Sequence, residues 1–193
     1  AAAPFSGSGT AEDPYLIENA ADLREMSDLV NADPEYGNSS YEMTADIDLE
    51  GAAFMPIGTN DHKFSGTFDG NGYAVSNLNV DVSSEPSGLF GFVESGTVKG
   101  TIRVGGLVGR TMYAEIINCF SKADVSGSND VGGLIGMFNN SDLYNSYTWG
   151  KVEASGVTAG GLLGGANRSI DPAYESNVAN CYTRATVSGG SNV

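Results

Sequence analysis

Along residues 119–126 two kinds of side chain alternate. Cys119, Ser121, Ala123 and Val125 are small and uncharged, while Phe120, Lys122, Asp124 and Ser126 are aromatic, charged or polar. The two sets return as Ser146, Thr148, Gly150, Val152 against Tyr147, Trp149, Lys151, Glu153. They return again as Cys181, Thr183, Ala185, Val187 against Tyr182, Arg184, Thr186, Ser188. A period of two with every charge on one side predicts a strand with one buried face. A glycine-rich phrase precedes each stretch: GGLVG at 105–109, GGLIG at 132–136 and GGLLG at 160–164, spaced 27 and 28 residues apart. An asparagine, at 118, 145 and 180, then opens the alternation.

Two phrases locked in phase mark a structural repeat too short to fold alone, so its units must stack. Glycine pairs with valines and threonines between them oppose helix. The pattern therefore predicts an all-β parallel solenoid of roughly six coils from about residue 40 onward. Equivalent residues then fall in columns. Leu107, Leu134 and Leu162 are expected inside. Asn118, Asn145 and Asn180 are expected at a bend, either as a buried column bonded amide to amide or as exposed turn residues. Upstream the repeat is degenerate. Gly88–Gly91 is a weakened copy of the glycine phrase, and only 18 residues separate Gly88 from Gly106, so one coil there is short. Residues 69–72, DGNG, read as a tight turn, and 45–49 alternate again. The third copy is longer, with 166–179 standing where the first has 110–117, which predicts a loop on one edge.

One segment differs. Ala20, Leu23, Met26, Ser27 and Val30 lie near helical spacing, Asn19 is an N-cap and Asp33-Pro34 a stop. A helix over about 19–31 is expected to cover the open first coil. The domain organisation expected is one solenoid over 1–193: a cap at 1–37, irregular coils at 38–103 and regular repeats at 104–193. The chain stops where another glycine phrase is due. It is expected to be the N-terminal part of a longer protein, or to self-associate end to end through an open C-terminal coil.

Charge narrows the partners. Nine cations against 24 acids give a net charge of -15, which argues against nucleic acid and anionic membrane. No apolar run approaches the ~18 residues of a membrane helix. Cys119 and Cys181 hold equivalent places two coils apart, roughly 9–10 Å at the usual strand spacing and beyond disulfide reach. Two free, buried thiols are expected. The single histidine, His62, lies far from them in sequence, so no metal or cofactor is expected.

The sharpest candidate site is the outward set. Phe120, Tyr147 and Tyr182 would stack into a flat aromatic column, with Lys122, Trp149 and Arg184 beside it. Such faces stack on sugars or anchor protein partners. The alternatives are a bend that turns the rings inward, or a loop of the third copy that covers them. Asp69–Gly72 lacks the spaced acids of a calcium loop. Asp46 and Asp48 share a side but lack nearby cations, and His62-Lys63 sits in a polar loop, so catalytic carboxylates are not expected. No hydrolase, zinc-peptidase or phosphate-loop motif occurs.

Residues 5–17 (FSGSGTAEDPYLI) with 21–23, then 46–49, 56–58, 64–73 and 88–91, resemble the opening of many large bacterial surface proteins. The three GGL[VIL]G phrases with their Asn-Cys-Tyr-like partners resemble GLUG motifs. The resemblance implies a right-handed parallel β-helix in secreted or wall-attached proteins, among them adhesins and the non-catalytic region of certain immunoglobulin A peptidases. It carries over no catalytic residue. The expected function is a non-enzymatic extracellular module, a spacer and adhesin for a host glycan or extracellular protein. A non-catalytic domain of a secreted peptidase is the alternative, and a polysaccharide lyase or hydrolase a further one.

Overall fold

The computed structural model describes residues 4–80, 86–99, 106–122, 124–167 and 173–189. The expected C-terminal break at 190–193 and the tip of the long third-copy loop, 168–172, lie outside them. The chain opens with β1 (Tyr15–Ile17), α1 (Ala20–Ala32) and α2 (Pro34–Gly37). Short strands follow: β2 (Ser40–Met43), β3 (Ile47–Asp48), β4 (Thr67–Asp69), β5 (Val75–Ser76), β6 (Phe90–Glu94) and β7 (Thr97–Lys99). Next come β8 (Val108–Met112), β9 (Glu115–Ile117), β10 (Phe120–Lys122), β11 (Val125–Gly127), β12 (Val131–Gly132), β13 (Ile135–Asn139) and β14 (Asp142–Tyr144). The last are β15 (Tyr147–Ala154), β16 (Ala159–Gly160), β17 (Leu163–Asn167), β18 (Asn177–Ala179) and β19 (Tyr182–Ser188). The fold is all-β apart from the two N-terminal helices.

Every described strand pair is parallel, and each strand pairs with its counterpart in the next repeat. One sheet runs β1-β2-β4-β7-β9-β14-β18. Its central column is Tyr15, Tyr41, Phe68, Val98, Ile116, Leu143 and Val178. Tyr41 to Leu143 are all buried in one core, while Val178 in the last strand is 49% exposed. A second sheet, β17-β13-β8-β6, carries the glycine phrases. Register Val108↔Ile135↔Leu163 sets the three leucines side by side, as their spacing predicts. Leu107 and Leu134 are fully buried, and Leu162 packs half-buried against them. The last glycine of the phrase is needed for close approach: a Cβ at Gly136 would lie 2.6 Å from the Gly109 carbonyl oxygen. At Gly91 it would lie 2.2 Å from that of Gly58. The short step also appears, in the register Phe90↔Val108 and Val98↔Ile116.

Helix α1 forms where its apolar spacing predicts. The Asn19 side chain accepts from the Ala21 and Asp22 amides, and Asp22 accepts from the Glu18 amide. Leu23, Met26 and Val30 are fully buried in the common core. The polar side chains of that face meet backbone one repeat further on. Ser27 Oγ donates to the Met55 carbonyl at 2.6 Å. Asn31 donates to the Pro56 carbonyl at 2.9 Å and accepts from the Gly58 amide at 2.8 Å. Arg24 donates to the Ala53 carbonyl. The helix thus occupies, in the first repeat, the place that strand backbone holds in later ones.

Candidate functional site

The site is built by three strands in register. Phe120 pairs with Tyr147 and Tyr147 with Tyr182, while Lys122, Trp149 and Arg184 form the adjacent row. Ahead of each strand stands an asparagine in the left-handed region, with φ of 57°, 51° and 57° at Asn118, Asn145 and Asn180. Asparagine tolerates this conformation because its short polar side chain can bond locally. Here the amides form a ladder: Asn145 Nδ2 donates to Asn118 Oδ1, and Asn180 Nδ2 to Asn145 Oδ1, each at 3.1 Å. The ladder is exposed rather than buried, so both sequence readings hold in part. It stands in the turn, where water reaches it, and still bonds repeat to repeat.

Behind the ladder lies the small column Cys119, Ser146, Cys181. Both thiols are free. Cys119 is fully buried, and burial pushes its thiol up to about 12. Cys181 is only half-buried, a correction to the expectation of two buried thiols. It lies in the last described repeat, where no described strand covers it. Ser146 Oγ accepts the Cys119 amide and donates to the Tyr144 carbonyl, so serine fills the same place with its hydroxyl satisfied.

Outside the turn the rings stack face to face. Phe120 and Tyr147 are 4.9 Å apart at 1°, and Tyr147 and Tyr182 are 5.1 Å apart at 3°. These distances match the spacing between strands, which forces identical rotamers into a column. Exposure along the column does not follow the alternation. Tyr147 has rings against both faces and is half-buried, yet Phe120 is the more buried, so stacking on Tyr147 alone does not set its exposure. Phe120 is therefore not the exposed ring expected. Tyr182, the end ring, is 54% exposed, and Trp149 beside it is 52% exposed. The Arg184 guanidinium lies 5.6 Å over the Trp149 ring. Lys122 is exposed in the same row. Among the described rings of this surface, Tyr182 and Trp149 are the most exposed.

The other candidates have structural partners. Asp46 accepts the Ala74 amide at 2.8 Å. Asp48 accepts the Glu50 amide and the Asn77 side chain, which hold its carboxyl below the usual range. Asp124 and Asp142 likewise accept amides of Lys151 and Asn177 in the following repeat. His62 Nδ1 meets the Asn31 carbonyl, and Lys63 pairs with Glu94 at 3.0 Å. Asp69 caps the turn at Asn71. Among the described residues no three acids, cysteines or histidines converge as a metal site.

Two clusters escape the sequence reading. Tyr113 and Tyr174 meet edge to face at 5.0 Å, so the described part of the third-copy loop packs on Tyr113. Phe92 lies between Lys63 at 5.3 Å and Arg110 at 4.9 Å. The second was available: the 18-residue step sets Phe92 directly beside Arg110.

Among the described residues, parallel strands stacked in register from one repeat to the next define a repeat protein. The family model for the GLUG motif matches residues 100–126, so the chain carries that motif, and its resemblance to GLUG-motif surface proteins holds. Halomucin of Haloquadratum walsbyi is 32% identical over 111 residues, 51% of this chain and 1% of that protein. A candidate Gly-rich membrane protein of Evansella cellulosilytica is 34% identical over 96 residues, 48% of this chain and 11% of that one. The chain thus spans a small part of these relatives' length. The crystal structure of a candidate immunoglobulin A1 protease from Bacteroides ovatus superposes with a TM-score of 0.61 at 21% identity, covering 96% of this chain and 70% of that one. The fold is shared with that protein. Among the described residues no helix is long and apolar enough to cross a membrane.

Proposed function

We propose that this chain is a non-enzymatic extracellular module, secreted or held at the cell surface. It is a right-handed parallel β-helix that acts as a spacer, capped at its N-terminal end by α1. Tyr182, with Trp149 and Arg184, contacts a glycan or an extracellular protein. The observation that carries this reading is the exposure of Trp149 and Tyr182 in two adjacent rows, with the Arg184 guanidinium laid over the indole. An open aromatic face stacks on the apolar face of a sugar ring, and an arginine beside it donates to hydroxyl or carboxylate oxygens. Tyr147 and Lys122 frame the contact, while Phe120 supports the column from below. The likeness to a candidate immunoglobulin A1 protease favours a second reading, a non-catalytic region of a secreted peptidase.

The test is binding of the purified chain to a glycan array and to extracellular-matrix proteins. Trp149→Ala and Tyr182→Ala should each weaken a detected interaction by roughly 30-fold, the scale of a buried aromatic anchor. Unchanged binding in both variants would overturn the assigned contact. Turnover of a polysaccharide or of immunoglobulin A1 by the chain alone would overturn the non-enzymatic reading.

A further inference from the structure

The chain has nine cations against 24 acids, and several of the cations are tied to structural partners. Arg24 donates to the Ala53 carbonyl, and Lys63 pairs with Glu94 at 3.0 Å. Arg110 lies 4.9 Å over the Phe92 ring. Lys151 pairs with Glu153 at 2.7 Å and has Asp124 beside it. Lys122 and Arg184 differ. Both are exposed, and among the described residues neither makes an ion pair. They stand in one row on β10 and β19, with the exposed Trp149 between them on β15. At the usual strand spacing their backbones lie roughly 9–10 Å apart across the indole.

Three observations say what this row can hold. First, β15 has no free edge. It pairs with β10 and β11 on one side and with β19 on the other, so another chain cannot join it as a strand. Contact goes through the side chains that stand off the sheet. Second, the Arg184 guanidinium lies 5.6 Å from the Trp149 ring centre, yet the indole remains 52% exposed. That contact holds both side chains in place beforehand, which lowers the entropy cost of binding. The guanidinium fork fits a carboxylate or a similar oxyanion in two parallel bonds. Third, the net charge of -15 repels anions at a distance, so an anionic ligand is held only where cations stand uncompensated. In physiological salt, charges more than ~8 Å away are largely screened, and the local pair of Lys122 and Arg184 decides. Asp124 and Glu153, further along the same face, flank Lys151 instead.

We infer that this row binds an acidic polysaccharide: a sugar ring rests on the exposed indole, and its carboxylate or sulfate group accepts from Arg184 and Lys122. The inference rests on the reading that Trp149 and Tyr182 face a ligand, and it names that ligand's chemical class. A sugar fits better than an acidic peptide, because the indole offers a stacking surface while the strand that carries it has no free edge.

The test titrates the full chain by calorimetry with polygalacturonate for carboxylates, dextran sulfate for sulfates, neutral dextran, and polyglutamate as the peptide control. At least one anionic sugar should bind about tenfold more tightly than dextran or polyglutamate, and whichever binds names the source of the oxyanion. Arg184→Gln should weaken that binding about tenfold, the value of a charge-assisted hydrogen bond. Lys122→Gln should weaken it about threefold, as a screened surface charge does, and it leaves the contact between Arg184 and the indole intact. Lys63→Gln should change nothing. Thermal melting confirms folding of each variant. Equally tight dextran, or anionic binding unchanged in both the Arg184 and Lys122 variants, would overturn the acidic class, while the Trp149 contact stands if Trp149→Ala still weakens binding. Equally tight polyglutamate would overturn the sugar. If no polysaccharide binds, the inference falls, and the surface reading stands only on Trp149-dependent binding to an extracellular-matrix protein. Binding insensitive to both Trp149→Ala and Tyr182→Ala would sink the two together.

Discussion

Asn118, Asn145 and Asn180 do two jobs at once: they hold a left-handed backbone and link three repeats through their amides. Substitution separates the two. Asn145→Gly keeps the backbone and should cost about 0.5–1 kcal/mol for exposed amide bonds. Asn145→Ala adds about 1–2 kcal/mol for the β-carbon in that region. Urea titration of both variants checks the difference. The residue was legible as a column, but in-and-out alternation says nothing about the sign of φ. Cys119 gives a pH prediction. Its folded thiol is pushed up to about 12 from an ordinary 9.0, so the unfolded chain loses this proton first. The contribution is constant below about pH 9 and stability falls as pH rises from there toward 12. Burial also raises the Tyr41 phenol, whose hydroxyl donates to the Tyr36 carbonyl at 2.8 Å, and adds to the same alkaline loss. Cys119→Ser, which copies the place of Ser146, should flatten that slope in melts at stepped pH.

Helix α1 shows how far a single element can be read. Asn19, Asp22 and the apolar spacing fix its start and its buried face, and the structure places it at Ala20–Ala32. The work of Asn31 was not legible, because its partners at Pro56 and Gly58 follow from the repeat offset rather than from the helix. Asn31→Ala would strand the Gly58 amide and leave the Pro56 carbonyl only the 3.4 Å bond from Ser27 Oγ. It should cost about 1–3 kcal/mol, read as a lower denaturation midpoint with an unchanged slope. At the strands, alternation places Ser121, Thr148 and Val152 inside, with Lys122, Trp149 and Glu153 outside. It misplaces Phe120, which is buried, while Tyr182, stacked on Tyr147 in the same way, is exposed.

Across the molecule, the regular repeats were legible wherever both phrases recur, and the columns of leucine, asparagine and aromatic residues follow from them. Residues 40–80 were harder, since Tyr41↔Phe68 and Ile47↔Val75 pair without any shared phrase. Net charge alone treats the acids as no more than a charged surface. Several instead bind amides of the following repeat, as Asp46, Asp124 and Asp142 do. Their exposure is the same in both accounts, so burial could not have told them apart. The candidate site was half legible. Its residues and their register were readable, but alternation assigns Phe120 and Tyr182 to the same side and cannot tell that one is buried and the other exposed.

The register between repeats, with its 18-residue step, also bears on how the stack carries load. Hydrogen bonds between repeats run along the direction of stacking, so tension between the two ends pulls every bond of a junction together. After the step, β8, β9, β10, β11 and β12 all grip the following repeat. At the step itself, among the described residues, only β6 to β8 and β7 to β9 do so. In the three-copy region each junction therefore shares tension across several short strands loaded at once rather than one after another.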